Sequence, residues 1–167
     1  MPEFIKNQDK RREFINTLIE LASADDKIVL IVPDVGFHYI EEFQKKFPDR
    51  FFNFGVTEQS TVMIAVGLAL SGFKPYVYSM INFVLFRPYE MVRNGVVQHS
   101  ANVKLLGVKG SSSYKFLGFS HNMLSENEDM HSCQLLKIDR YAPKDNDEVR
   151  KVILDTYENN RSAYIRL

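Results

Sequence analysis

The chain has 167 residues, 45% of them hydrophobic, with 21 basic and 21 acidic side chains and a formal net charge of zero. That length predicts a single domain over residues 1–167 with a sizeable core, and the charge balance argues against a nucleic-acid or membrane-surface binder. The single cysteine, Cys133, excludes an internal disulfide framework and reads as a buried helix residue.

The N-terminal stretch "MPEFIKNQDKRREF" lacks the apolar centre of a signal peptide. No apolar run reaches the roughly 18 residues of a membrane span. The expectation is a soluble, cytoplasmic protein. In "DKRREFINTLIELASAD", Phe14, Leu18 and Leu21 recur at helical spacing, with Ile15 and Ile19 beside them. "KIVLIV" is a β-branched run ending at Pro33 and predicts a strand. "GFHYIEEFQKKFPDR" predicts a helix stopped near Pro48. "RFFNFG" predicts a strand ending at Gly55, and residues 57–71 predict a buried helix that Thr57 or Gly55 caps. "KPYVYSM" is the next strand. Residues 83–99 read as a helix in which Pro88 is tolerable only in a first turn or at a kink. "NVKLLGVKG" predicts a strand, followed by a Ser- and Gly-containing loop over 110–125. "EDMHSCQLLK" predicts a short helix and "IDRYAP" a strand. "DNDEVRKVILDTYENN" predicts a helix with acids in its first turn and Asp145 as its cap, and "SAYIRL" a last strand.

Short apolar runs alternating with helices predict an α/β fold of three αβα layers around a mostly parallel sheet. In such sheets ligands sit at the C-terminal ends of the strands. The loops after "KIVLIV", "RFFNFG", "KPYVYSM" and "NVKLLGV" should share that edge, bringing Asp34, Glu58, Phe83 and His121 together.

Glu58 is the focus of this edge. It opens the helix "EQSTVMIAVGLALSG", which carries no other charge. An acid in a first helical turn is stabilised by the helix dipole, and that alone would account for it. Yet the helix is apolar on every side, which reads as a central element, so the carboxyl at its start should be partly buried. A buried, unpaired carboxylate is costly, and a protein keeps one where something binds to it.

The stretch "RFFNFGVTEQSTVMIAVGLALSGFKPYVYSMINFVLFRPYEMVR" resembles the pyrimidine-binding domain of the transketolase family, with Asn53, Gly55, Glu58, Gln59, Gly67, Gly72, Pro75, Phe83 and Arg93 at the matching places. "DRYAPKDNDEVRKVI…AYIRL" resembles the closing part of the same domain. The resemblance implies that Glu58 contacts ring nitrogen N1′ of the aminopyrimidine of thiamine diphosphate and activates the cofactor, which carries out the carbonyl chemistry. It implies that Met80, Phe83 and Phe86 pack on the pyrimidine and that Asp34, in "VPDVG", reaches the cofactor near a subunit interface. His121, in "GFSH", would line the substrate channel, and Arg11, in "KRREF", would hold a substrate phosphate. Read without the family, these are core residues, a turn Asp, a structural His and a solvated Arg. His121, Glu126, Asp129 and His131 match no zinc spacing, so no metal site is expected in this chain.

The chain departs from the family at several places. Leu117 precedes "GFSH" where transketolases carry an Asp that reads a sugar hydroxyl. Lys109 stands where a His is common. The chain ends at "YIRL", where relatives continue into a further domain. The Gly-Asp-Gly…Asn motif that holds Mg²⁺ and the diphosphate does not occur in the sequence. The expectation is therefore half a site. A partner subunit bearing the Mg²⁺–diphosphate domain completes a split transketolase-like enzyme, as a homodimer or heterotetramer, acting on a sugar or keto-acid substrate. The alternatives are a keto-acid decarboxylase or 2-oxo-acid dehydrogenase β-like subunit, and a non-catalytic scaffold. An edge lacking its partner should expose apolar surface, so the chain is expected to self-associate when alone.

Overall fold

The computed structural model describes residues 9–110 and 112–167. The N-terminal stretch 1–8 and Ser111 of the loop lie outside the described residues.

Six parallel strands form one sheet: β1 (Ile28–Val32), β2 (Phe51–Asn53), β3 (Lys74–Met80), β4 (Lys104–Val108), β5 (Asp139–Tyr141) and β6 (Ala163–Arg166), in the order β2-β1-β3-β4-β6-β5. Register pairs Leu30 with Phe51 and Tyr76, and Tyr76 in turn with Lys104. All of β1 is buried. Ile28, Leu30 and Val32 join one core cluster, and Val29 and Ile31 join the other. That two-sided burial is why the strand reads as an unbroken apolar run rather than an alternating one.

Helices α1 (Lys10–Ala24), α2 (Glu41–Lys46) and α6 (Asn146–Glu158) cover one face. The other is covered by α3 (Glu58–Leu70), α5 (Glu128–Leu136) and a helical segment over 82–97 whose single regular turn is α4 (Tyr89–Met91). Asp9 caps α1 by accepting from the Arg11 N–H at 3.1 Å, and Asp145 caps α6 by accepting from Glu148 N–H at 2.9 Å. Cys133 is fully buried on α5, and burial pushes its thiol up to about 12.

Several elements differ from expectation. β2 ends at Asn53, short of Gly55, because the Asn53 side chain turns the chain: its Oδ1 accepts from both Asp34 N–H and Gly55 N–H at 3.0 Å. The helix expected from Gly36 onward is reduced to α2, because Asp34, Gly36 and His38 take positive φ and break the helical path. A Cβ on Gly36 would lie 2.8 Å from the Tyr78 ring and 2.9 Å from Ile40, so only glycine fits. Thr57 is the α3 cap residue, but its hydroxyl donates to the Phe54 carbonyl (3.0 Å) rather than capping the helix.

The helix expected over 83–99 is mostly π-helical, over Asn82–Phe86 and Val92–Val97. Arg87 N–H donates to Asn82 O at 2.9 Å and Gln98 N–H to Arg93 O at 3.2 Å, both across five residues. Pro88 has no N–H to continue the ladder, and the narrower turn restarts after it.

α3 is not a central helix. It buries Glu58, Thr61, Val62, Ala65 and Val66, and leaves Met63, Ile64 (39% exposed) and Leu70 (61% exposed) at the surface. Nothing lies within 4 Å of where a Gly67 side chain would begin.

At the N-terminal end of β4, Lys104 is buried, and burial depresses its amine to about 7, aided by Lys74 and Arg161. Its Nζ donates to Asn102 Oδ1 and to the Arg161 carbonyl, the two hydrogen bonds that a neutral amine can donate. Unfolding returns this amine to its ordinary value of 10.5. Between these values the unfolded state holds a proton that the folded state has released. Stability should therefore rise with pH above about 7, and Lys104→Met should flatten that rise. Urea midpoints of both proteins at pH 6.5, 8 and 9.5 check this. Parallel profiles would contradict it.

Candidate functional site

The strand order reverses between β1 and β3, and the loops leaving their C-terminal ends diverge there. Between them opens a solvent-accessible cavity of about 880 Å³. Asp34, Glu58, Phe83 and His121 all line it, as do Arg11 and Met80. The expected convergence of the strand-end loops is present.

Glu58 sits at the head of α3, only 5% exposed. It is not unpaired. Arg87 Nη1 donates to Glu58 Oε1 at 2.5 Å. The same guanidinium lies over the Phe83 ring, 4.1 Å from its centroid. Phe83 also meets the His121 ring edge-on, at 4.9 Å and 81°. His121 Nδ1 is 2.8 Å from Ser120 Oγ, and the Tyr114 ring lies nearly parallel to the imidazole with centroids 6.4 Å apart. These contacts hold His121 with Nδ1 engaged and leave Nε2 as its second polar atom.

Other expected residues are placed differently. Phe86 does not line the cavity; it packs on the core beneath α3, because it lies at the far end of the wide turn from Met80. Arg11 reaches the cavity, but its guanidinium is paired with Asp9 at 3.1 and 3.2 Å and lies over Tyr39 at 4.2 Å. Burial resists charging Asp9, but its bonds to Arg11 and Tyr39 outweigh this and lower its carboxyl below the usual value. Lys109 lines the cavity with Lys10; Leu117 does not. Burial, together with Arg166 and Lys109, lowers the Lys10 amine.

The acidic and histidine side chains of the 121–131 region are not gathered together. Asp129 is fully buried and paired with Arg166 Nη1 at 3.1 Å, and Glu126 faces Lys109 at 3.7 Å. Among the described residues no group of three His, Cys, Asp or Glu side chains is arranged to hold a metal. No described helix is long and apolar enough to cross a membrane.

Sequence reasoning missed Arg87 and Ser79. Arg87 carries the first charge after Lys74, and a lone buried carboxylate called for such a partner. Ser79, at the end of β3, is buried on the cavity wall, and its hydroxyl has no hydrogen-bond partner among the described residues.

An acceptor carboxylate, an aromatic face and a spare hydroxyl line this cavity. This set suits a flat, amino-substituted heteroaromatic ring.

Residues 7–167 match the family described as transketolase, pyrimidine binding domain. A subunit of the apulose-4-phosphate transketolase of Phocaeicola vulgatus is 32% identical over 158 residues, covering 94% of this chain and 50% of that protein. The 1-deoxy-D-xylulose-5-phosphate synthase of Listeria welshimeri is 32% identical over 151 residues, covering 89% of this chain and 23% of that one. A solved structure described as a split gene transketolase, inactive beta4 tetramer, superposes with a TM-score of 0.82 at 29% identity, covering 95% of this chain and 50% of that chain. The chain thus spans half or less of the length of these relatives. With a match that extends over nearly the whole sequence, the chain belongs to the family of transketolase pyrimidine-binding domains.

Proposed function

We propose that this chain is the pyrimidine-binding subunit of a thiamine-diphosphate-dependent, transketolase-like transferase. A partner subunit carrying the Mg²⁺–diphosphate site completes it. The observation that carries this reading is Glu58: a buried carboxylate at a helix head, on the wall of the strand-end cavity beside Phe83. The unpartnered Ser79 hydroxyl, which lines the same cavity, supports the fit of an aminopyrimidine. When bound, thiamine diphosphate supplies the nucleophilic carbon that attacks a ketose or keto-acid carbonyl.

The chain's own residues have separate tasks. Glu58 shares a proton with ring nitrogen N1′. Phe83 and Met80 support the flat ring by packing, and burial of this wall excludes water. Asp34 stands on the opposite loop, its backbone held by Asn53. His121, in ring contact with Phe83 and Tyr114, exchanges a proton with a substrate hydroxyl through Nε2. Lys10, Arg11 and Lys109 line the cavity and favour a phosphorylated substrate.

One relative is a transketolase subunit and another is described as a split-gene transketolase, which supports assembly with a second subunit. The exposed apolar side of α3, beside the cavity mouth at Val56, is the surface for it. Alone, the chain should self-associate through this side at micromolar concentration. Ile64→Asp with Leu70→Asp should yield a monomer that no longer binds the partner. Sedimentation velocity reads both effects, and a monomeric wild type would contradict them.

Reconstitution with the diphosphate-binding subunit from the same genome tests the function. Ketol transfer from a phosphorylated ketose is the expected activity. Decarboxylation of 2-oxo acids instead would replace it with a keto-acid-processing role. Neither activity in an assembled complex would leave a scaffold.

A further inference from the structure

Glu58 and Phe83 are both covered by a side chain of the chain itself. Arg87 donates to the Glu58 carboxylate at 2.5 Å while its guanidinium lies 4.1 Å over the Phe83 ring. Glu58 is 5% and Phe83 8% exposed, while the Arg87 side chain remains 42% exposed. A guanidinium is a planar, delocalised cation with N–H donors along its edge. A protonated aminopyrimidine presents the same pattern, a flat face and an N–H edge, and seeks the same acceptor and the same ring. The way out for Arg87 leads to solvent: its side chain is 42% exposed, and Glu58 and the Phe83 ring are its side-chain partners among the described residues.

We propose that Arg87 is a self-ligand that closes the aminopyrimidine subsite in the free subunit and must swing out of it before a pyrimidine can enter. The proposal rests on the reading of Glu58 given above. Closure reduces the apparent affinity for a pyrimidine by the fraction of molecules in the open state. It also supplies the buried carboxylate with a counter-charge until the ligand arrives.

The test titrates 4-amino-5-hydroxymethyl-2-methylpyrimidine, the cofactor's ring alone, into the full chain by calorimetry and ligand-observed NMR. Wild type, Arg87→Met, Arg87→Gln, Glu58→Gln and the Glu58→Gln/Arg87→Met double variant are compared, each checked for folding by circular dichroism. Both Arg87 variants should bind about tenfold more tightly than wild type. Glu58→Gln should lose binding, and the double variant should not regain it. Glu58-dependent binding that is unchanged or weaker in both Arg87 variants would overturn the proposal and leave the Glu58 reading standing, with Arg87 a support for the carboxylate. Binding that ignores Glu58, or none by any variant up to millimolar probe, would overturn the Glu58 reading and the proposal with it.

Discussion

Glu58→Gln in the assembled two-subunit complex is expected to lower the exchange rate of the cofactor's C2 proton by about 10²–10⁴-fold, the range for a positioned acid–base group. The amide keeps the shape of Glu58 and one acceptor oxygen but cannot exchange a proton with N1′. Cofactor affinity should change far less than exchange, because most binding energy comes from the diphosphate and its metal on the partner. The split between rate and affinity separates a catalytic carboxyl from one that only shapes the cavity. Proton NMR of the exchange in deuterium oxide checks it, and equal losses in affinity and rate would argue for a merely structural Glu58.

Arg166→Met is the substitution expected to cost most in stability, about 3 kcal/mol. Asp129, on the first turn of α5, is fully buried, with Oδ1 accepting from Arg166 at 3.1 Å and Oδ2 from the Tyr164 hydroxyl at 2.7 Å. Burial, and then the Asp129 charge, push the Tyr164 hydroxyl upward, so it stays a donor. Arg166 also donates to the Glu126 carbonyl at 2.9 Å, tying the end of the His121 loop to β6. Removing the guanidinium strands a charge in the core. Arg166→Met with Asp129→Asn should recover part of the loss, since no charge is then left unpaired. Urea unfolding of the single and double variants decides it. A single-variant loss below about 1 kcal/mol would mean that the Tyr164 hydroxyl and the Met130 N–H satisfy Asp129 without Arg166.

The sheet was legible because its strands are buried on both sides, so "IVLIV" and "KLLGV" stand out without any periodicity. The cavity was legible for a topological reason: in a parallel sheet, every loop following a strand emerges at the same edge, so Asp34, Glu58, Phe83 and His121 had to meet. The partner of Glu58 was not legible. Arg87 lies 29 residues away, and the path of the helical segment after β3 brings it to the head of α3. That path depends on i→i−5 hydrogen bonds, which leave no mark in apolar spacing. The same limit moved Phe86 from the expected ring contact into the core. α3 misled for a different reason. Hydropathy records that Ile64 and Leu70 avoid water, but not whether this chain or another covers them.

On the proposed function, this chain holds half of a cofactor site. The decisive measurement is a calorimetric titration of thiamine diphosphate with Mg²⁺ into the chain alone, into its diphosphate-binding partner alone, and into the two combined. Tight binding, with one cofactor per pair of subunits, is predicted only in the mixture, and should weaken when Ile64→Asp and Leu70→Asp break the assembly. Equal binding by the partner with and without this chain would contradict it.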